Sequence, residues 1–183
     1  MGLSAAKANP GKLNFSSAGV GSGSHFTAEL FCGMAGVRVV HVPFKGIPEA
    51  LTETMSGRVH FFMSPIASGV NLVKEGKVMA IGVTSPQRDS LVPDVPTIAE
   101  AGVPGFSAEL WYGLLTSSKT PRAVIVKLNQ EITRILREAD VKRRWAPLGL
   151  EPIPSTPEQF DRRIASEMDL FTKLARAGNI KAD

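Results

Sequence analysis

The chain has 183 residues, of which 43% are hydrophobic and 21% are charged, and these proportions are typical of a folded globular protein, which excludes a disordered or fibrous chain. The chain has a net charge of +4, and its 21 Lys and Arg residues are mostly scattered along the sequence. One Tyr and two Trp provide little aromatic surface for base stacking, so we expect no nucleic-acid partner. The densest basic stretch, interpreted as a solvated helix face, contains Arg134, Arg137, Lys142, Arg143 and Arg144.

Cysteine usage and hydropathy exclude further classes of protein. The single cysteine, Cys32, lies in the apolar helical pattern AELFCGMAG, so an intramolecular disulfide is excluded and a buried structural thiol is expected. No His and Cys residues stand at metal-ligand spacing, and we expect neither a metal nor a cofactor. The hydrophobic runs are shorter than the roughly 18 residues that a membrane-spanning helix needs. The first residues also lack the apolar segment of a signal peptide.

Strand and helix patterns alternate through the first half of the chain. The predicted strands are LNFSSA, VRVVHVPF, VHFFMS and VMAIGVTS, and the predicted helices are SHFTAELFCGMAG, GIPEALTETMSG and ASGVNLVKEGK. We place Ser24 at the N-cap of the first helix and Gly36 after its last residue. Pro48 opens the second helix, which ends at Gly57, and the third ends at Gly76. This alternation favours an α/β layer built on a parallel sheet.

The pattern changes after Ser85. The following 21 residues, PQRDSLVPDVPTIAEAGVPGF, contain four prolines and predict a surface loop with one short helix at TIAEAG. A long strand is predicted at SAELWYGLLTSS and a short one at LEPIP. Two amphipathic helices are predicted, PRAVIVKLNQEITRILREA and TPEQFDRRIASEMDLFTKLARAG, the second with Thr156 as N-cap and Pro157 at its first position. These helices have few strands to pack against, so either their lobe is very small or the sequence begins partway through a longer architecture.

The stretch NFSSAGVGSGSHFTAEL, residues 14–30, places small residues between a predicted strand and a predicted helix. Glycines there allow backbone N–H groups to approach a ligand closely, and a helix N-terminus follows, so the stretch predicts an anion site. A dinucleotide fingerprint is excluded because the second strand ends in HVPFKG, without the required acidic residue. A phosphate-binding loop is excluded because no Gly-Lys-Ser or Gly-Lys-Thr follows.

The sequence indicates a site that binds rather than one that reacts. The nucleophilic serine motif Gly-x-Ser-x-Gly is not matched, because Ser22 lies one residue away from the required position. The acidic residues do not form an acid/base pair. His41 and His60 fall in predicted strands, where half-buried structural roles are expected. His25 lies in the first turn of its helix, and two roles stay open for it, donation to a bound oxyanion or bracing of the loop. We therefore expect no enzymatic activity and no catalytic residues.

Several motifs together carry a family resemblance that runs from about Lys7 to the C-terminus. They are NPGKLNFSSAGVGSGSH, HVPFKGIPEAL, GRVHFFMSPIASGVNLVKEGKVMAIGVTSPQRDSLVPDVPTIAEAGVPGF and GLLTSSKTPRAVIVKLNQEI. In this order they resemble the Bug family, the TctC-like extracytoplasmic solute receptors of tripartite tricarboxylate transport systems. The resemblance implies an α/β fold like that of type II periplasmic binding proteins, in which two lobes close on a small carboxylate.

The resemblance also implies which residues bind the ligand. In the family, small-residue loops and helix N-termini hold one carboxylate, often with ordered waters. The residues that match these positions are Ser17, Ala18, Gly19, Gly21, Ser22 and His25 in the first loop, Phe44, Lys45 and Gly46 in the second, and Ser64 in the third. Family members usually carry an acidic residue at the last position. Ser64 replaces that charge with a hydroxyl, which disfavours a ligand with an amino group.

The resemblance implies a domain organisation as well. Residues 1–108 match the second-lobe ligand-binding α/β domain, complete, and residues 109–183 match the C-terminal portion of the first lobe, with a crossing strand and amphipathic helices. The family's signal peptide and the first part of its first lobe have no counterpart in this sequence. We therefore expect a solute-binding protein, or a fragment of one, whose full-length parent is periplasmic and serves the membrane components of a tripartite transporter. The alternative is a truncated, non-binding fragment stabilised by oligomerisation or strand exchange, such as a homodimer formed through the incomplete lobe.

Overall fold

The computed structural model describes residues 2–178 and 180. Its chain divides into two compact units. The first extends to Leu110 and includes the C-terminal stretch from Lys173, and the second is Trp111–Thr172. No helix of the described residues is long and apolar enough to cross a membrane.

A three-stranded parallel sheet organises the first unit. Its strands are β1 (Asn14–Ser17), β2 (Val40–Pro43) and β3 (Phe61–Phe62), in the order β2-β1-β3. Phe15 pairs with His41 on one side and Phe61 on the other. The central strand is buried from Phe15 to Ser17, and the parallel direction follows from the helical crossovers that join the strands.

Helices flank the sheet of the first unit. They are α1 (Gly2–Ala8), α2 (Gly23–Ala35), α3 (Ile47–Met55) and α4 (Ile66–Lys74). Phe15 of β1 faces the side of α2, because its ring lies 6.2 Å from that of His25. The next residue, Ser16, points the other way and contacts Ala50 and Thr54 of α3. Successive strand residues point to opposite faces, so α2 and α3 cover the two faces of the sheet.

A second buried cluster joins α1 and α2 to the loop after the sheet. It consists of Ala6, Cys32, Ala35, Val37, Ile98, Val103 and Phe106. The burial of Cys32 confirms the predicted structural thiol. Helix α2 ends as predicted at Gly36, whose φ of 64° is left-handed.

The fourth predicted strand of this unit, VMAIGVTS, is wrong. Residues 78–85 contribute to the described pairing only through an isolated bridge between Val83 and Thr97. Met79 and Ile81 are 75% and 51% exposed. A β-branched run becomes a strand only where a neighbouring backbone pairs with it, and the described sheet ends at β3. The predicted short helix TIAEAG is likewise a turn, closed by Gly102 at a φ of 115°.

The second unit is helical. It contains α5 (Arg122–Leu136), α6 (Ala139–Trp145), a 3₁₀ turn (Ala146–Leu148) and most of α7 (Pro157–Ala177). The two predicted amphipathic helices are present, whereas the sequence pattern does not predict α1 and α6. The strands predicted at SAELWYGLLTSS and LEPIP are wrong, because both segments lack regular structure.

Candidate functional site

Three loops leave the carboxyl edge of the sheet, and each leads into a helix. The first is the glycine–serine loop, defined as residues 18–22, which joins β1 to α2; residues 44–46 join β2 to α3, and residues 63–65 join β3 to α4. Because the strands are parallel, the three loops start at the same edge, where α/β proteins bind ligands. All ten predicted site residues lie in these loops or beside them.

The first two loops contact each other directly. The Phe44 N–H donates to the Ser17 carbonyl at 3.1 Å. A Cβ at Gly19 would lie 3.4 Å from the Phe44 carbonyl oxygen. Gly19 also has a φ of 127°, a conformation that favours glycine. The backbone conformation therefore favours glycine at position 19, whereas a Cβ there would make only an ordinary contact with Phe44.

The N-cap of α2 is Ser22, and the predicted cap Ser24 is wrong. The Ser22 hydroxyl accepts the His25 N–H at 3.3 Å. The Ser24 hydroxyl instead accepts the Ala18 N–H at 3.0 Å and lies 3.0 Å from the Ser22 hydroxyl. The helix therefore begins one residue before Ser24, and that side chain turns back to close the loop.

Two backbone donors stay available where the loop enters α2. In the described residues, the N–H groups of Gly23 and Ser24 have no hydrogen-bond acceptor. The first N–H groups of a helix lack intrahelical partners and carry the positive end of its dipole. Gly23 is exposed, so this end of α2 can accept an anion from solvent.

His25 braces the loop from inside the protein. Its side chain is nearly buried, and the residue is 4% exposed. Its Nδ1 accepts the Gly21 N–H at 3.1 Å, and its Nε2 lies 3.8 Å from a carboxylate oxygen of Glu29. Burial lowers the pKa of His25, so the imidazole is neutral at neutral pH. Of the two roles left open by the sequence, the contacts show loop bracing; ligand contact stays a prediction.

His41 packs against His25, a contact that sequence reasoning missed. The two imidazole rings stack with centroids 3.7 Å apart and planes 14° apart. His41 also stacks on Phe15 at 4.9 Å. Burial, and next the nearby His25, lowers the pKa of His41 to about 4. No local sequence signal indicates this contact, because it depends on the sheet register that places His41 beside Phe15.

The Ser17 hydroxyl is buried within the same cluster. It donates to the Gly19 carbonyl at 3.1 Å, accepts the Gly19 N–H at 3.2 Å and lies 2.6 Å from His41 Nε2. The Ser17 hydroxyl thus makes its contacts to Gly19 and His41 within the protein. Ser17 therefore supports the loop in this structure, and its direct contact with a ligand stays a prediction.

The second loop brings a cation to the edge. Lys45 is exposed, and its backbone N–H donates to a carboxylate oxygen of Glu49 at 3.1 Å. Gly46 is the N-cap residue of α3 and offers no side-chain cap. The Glu49 side chain satisfies a backbone donor beside the helix N-terminus, while the Lys45 ammonium stays in solvent.

The third loop contributes Ser64. This residue is half-buried, and its hydroxyl donates to the Pro65 carbonyl at 3.1 Å. His60, at the opposite edge of the sheet, is exposed and precedes β3, so its predicted half-buried strand position is wrong. Among the described residues, no group of His, Cys, Asp and Glu side chains could hold a metal ion.

Curated relatives match almost the whole chain. A protein from a tcbD-tcbE intergenic region of Pseudomonas sp. is 38% identical over 94% of this chain and 52% of its own length. Protein BugT of Bordetella pertussis is 30% identical over 96% of this chain and 54% of its own length. The chain thus spans about half the length of these two relatives.

Solved structures share the fold. An adipate complex from R. palustris has a TM-score of 0.86 and 29% identity, covering 97% of this chain and 60% of that one. MatC from Rhodopseudomonas palustris with bound malate has a TM-score of 0.75 and 31% identity, covering 94% and 60%. These similarities confirm the predicted periplasmic-binding-protein type of α/β fold.

The family itself is established by a match that spans nearly all of the sequence. The model of the tripartite tricarboxylate transporter family receptor, TctC, matches residues 2–180. This match and the similarity to BugT confirm the resemblance carried by the sequence motifs. The chain belongs to the TctC family of solute receptors.

Proposed function

We propose that this chain is the ligand-binding part of an extracytoplasmic receptor that captures a small carboxylate at the glycine–serine loop. The observation that carries the proposal is the pair of N–H groups, of Gly23 and Ser24, that have no acceptor at the exposed start of α2 in the described structure. A carboxylate oxygen is the acceptor that such donors favour. Membership of a receptor family confirms that the chain is not an enzyme.

The energetics support a carboxylate at this position. Each hydrogen bond to a charged acceptor contributes roughly 1.5–3 kcal/mol, and the helix terminus adds about 0.3–1 kcal/mol. The α3 N-terminus starts at the same edge, and Lys45 adds a full positive charge beside it. A ligand with two carboxylates could place one at the start of α2 and the other beside the α3 N-terminus and Lys45. The backbone N–H groups of Ala18, Gly19 and Phe44 donate within the protein, so the predicted ligand contacts of these residues stay predictions.

The substrate class that we propose is a dicarboxylate without an ammonium group. Two structures similar to this chain contain adipate and malate, which are both dicarboxylates. Ser64 offers a hydroxyl where an ammonium would need a carboxylate. The pairing of a charged ammonium with a neutral hydroxyl is weaker than with a carboxylate.

We also propose the setting in which the chain acts. Residues 1–108 correspond to the second lobe and 109–183 to the C-terminal part of the first lobe of a receptor whose full-length parent is periplasmic. Its partners are the membrane components of a tripartite transporter. Family membership and the roughly half-length coverage of relatives support this assignment.

Calorimetric titration of the 183-residue chain tests the proposal. The matched ligands are glutarate and glutamate, which share a carbon skeleton and differ by the amino group, with adipate and malate alongside. We expect binding of the dicarboxylates, weaker binding of glutamate, and a loss of affinity in Ser22→Ala. Absence of binding by every dicarboxylate would contradict the proposal. A stable oligomer in light scattering together with that absence would support the non-binding fragment instead.

A further inference from the structure

The imidazoles of His25 and His41 connect the glycine–serine loop to the end of β1. His25 holds Gly21 through Nδ1, and His41 contacts the Ser17 hydroxyl through Nε2. The stacked rings, 3.7 Å apart, join these two contacts. Ser17 and Gly21 are therefore connected through the two imidazole side chains as well as through the backbone.

Hydrogen-bond counting assigns the position of the proton on His25. Because the Gly21 N–H donates to His25 Nδ1, that nitrogen carries a lone pair, and the neutral ring has its proton on Nε2. The Ser17 hydroxyl has one proton, which it donates to the Gly19 carbonyl. The Ser17 oxygen also accepts the Gly19 N–H, and it shares a hydrogen bond with His41 Nε2 whose donor depends on the tautomer of His41. His25 therefore has a defined tautomer, and each imidazole makes one hydrogen bond to the segment from Ser17 to Gly21.

We propose that His25 and His41 are positioning residues that hold the glycine–serine loop in its carboxylate-binding shape without touching the carboxylate themselves. The inference rests on the proposed function for its ligand. The loop contains glycines at positive φ, Gly19 at 127° and Gly21 at 75°, and glycine backbones are the most permissive of all residues. Such a loop keeps one shape only when side chains fix it, and the imidazole pair provides two attachments beside that of Ser24 to the Ala18 N–H.

The test separates the acceptor at Nδ1 from the bulk of the ring. In His25→Asn, the side-chain oxygen can replace Nδ1 as acceptor, whereas His25→Ala has none. In His41→Gln, the side-chain amide can replace the hydrogen bond of Nε2 to Ser17, whereas His41→Ala cannot. His60→Ala is the matched control, because His60 is exposed and bonds Asn14 at the other edge of the sheet.

Two readouts are measured on each variant of the 183-residue chain. The first is hydrogen exchange of the Gly21 amide by NMR, with the Ala50 amide, bonded to the Gly46 carbonyl, as the reference for intact folding. The second is the affinity for adipate. We expect about tenfold faster Gly21 exchange and about tenfold weaker adipate binding in His25→Ala. His25→Asn should restore both to within about twofold, and His41→Gln should do the same for His41→Ala.

The outcomes distinguish this inference from the proposed function. Unchanged Gly21 exchange in His25→Ala, with Ala50 protected, overturns the inference, and weaker adipate binding in that case indicates direct ligand contact by His25. Equal losses of Gly21 protection and adipate affinity in His25→Asn and His25→Ala also overturn the inference. The imidazole ring would then matter, and the hydrogen-bond acceptor at Nδ1 would not. If the wild-type chain binds no adipate, the proposed function fails, while Gly21 exchange still decides whether the pair shapes the loop.

Discussion

At the scale of single residues, the carboxyl edge of the sheet divides its polar groups between two tasks. Ser22, Ser24 and His25 satisfy backbone groups of the loop itself. Gly23 adds no side chain, and its N–H stays available for a ligand. A Cβ at Gly23 would lie 2.8 Å from a methyl carbon of Leu110. The Leu110 side chain is exposed and its methyl end can move aside, so packing does not require glycine at position 23, which serves as a donor.

Gly21→Val tests whether the loop conformation matters for binding. Gly21 has a φ of 75°, and a Cβ at this position would meet no atom within 4 Å, so the cost comes from backbone strain of about 1–2 kcal/mol. Gly11→Val is the matched control, because Gly11 has the same φ of 75° and the same open space. We expect both variants to lower the free energy of unfolding similarly in urea titrations. Only Gly21→Val should weaken adipate binding, and equal affinities would leave the loop as a simple turn.

Cys32 should be unreactive in the folded protein. Burial, and next the nearby Glu29, raises the pKa of its thiol to about 12, so the reactive thiolate is scarce at a pH of about 8. We expect slow reaction with Ellman's reagent in buffer and fast reaction in denaturant. A rapid reaction of the native chain would contradict the buried position of Cys32.

The stacked histidines predict a pH dependence of stability. The folded-state pKa of His41 is about 4, against an ordinary value of about 6.5, so between these values the unfolded chain binds more protons. Stability should therefore fall as the pH falls from about 6.5 to about 4. His25 acts in the same direction. Burial raises the pKa of Glu29, which opposes this trend at pH values above the ordinary range of that carboxyl.

Urea titrations between pH values of about 7 and about 4 measure this dependence. The double variant His25→Asn, His41→Gln removes both titrating rings and keeps Glu29, so the difference from wild type isolates the histidines. We expect a smaller loss of stability toward the acidic end in the double variant than in wild type. Parallel curves for wild type and the double variant would contradict the lowered pKa values.

At the scale of single residues, only part of the candidate site could be predicted from the sequence. The glycine–serine loop is a local pattern of small residues next to a helix start, so it is visible in the sequence. The role of His41 depends on the register that pairs it with Phe15, which lies far away in the chain. Non-local register cannot be read from a local pattern, and for this reason the sequence predicts only a structural strand position for His41.

At the scale of elements, helices are easier to predict than strands because their signals are local. Helix α7 begins at Pro157 as predicted, and Thr156 and Gln159 form a reciprocal pair. The strands predicted at residues 78–85 and 107–118 are absent from the described structure. Their apolar runs carry no information about a partner strand, and a strand without a partner leaves its backbone unpaired.

The start of α7 predicts a measurable contribution from its cap. The Thr156 hydroxyl accepts the Gln159 N–H at 3.2 Å, and the Gln159 side chain accepts the Thr156 N–H at 2.8 Å. Thr156→Ala should lower the free energy of unfolding by about 0.5–2 kcal/mol. Thr156→Ser keeps the hydroxyl and should stay close to wild type in a urea titration followed by circular dichroism. Equal stability of the alanine and serine variants would contradict a capping role.

At the scale of the whole molecule, the two units differ in how much they bury. Every buried residue of the described chain lies in the first unit. The second unit keeps Trp111 in place mainly through its edge-on packing with Phe160 at 5.2 Å and its hydrogen bond to Glu167 at 2.6 Å. Leu114 and Leu115 are 69% and 75% exposed. Burial of apolar surface is the main source of stability, so the second unit gains less stabilisation from its own packing than the first.

This difference predicts that the units unfold at different urea concentrations. Both tryptophans, Trp111 and Trp145, lie in the second unit, and Cys32 lies in the first, so each unit has its own probe. We expect the Trp fluorescence transition to occur at lower urea than the exposure of Cys32 to Ellman's reagent, because the second unit has less buried apolar surface to stabilise it.

Trp145→Phe should leave the order of the two transitions unchanged, since Trp111 still reports the second unit. Saturating adipate should raise the Cys32 midpoint and leave the fluorescence midpoint in place, because a ligand stabilises only the structure that binds it. Coincident transitions of the two probes would instead indicate one cooperative unit.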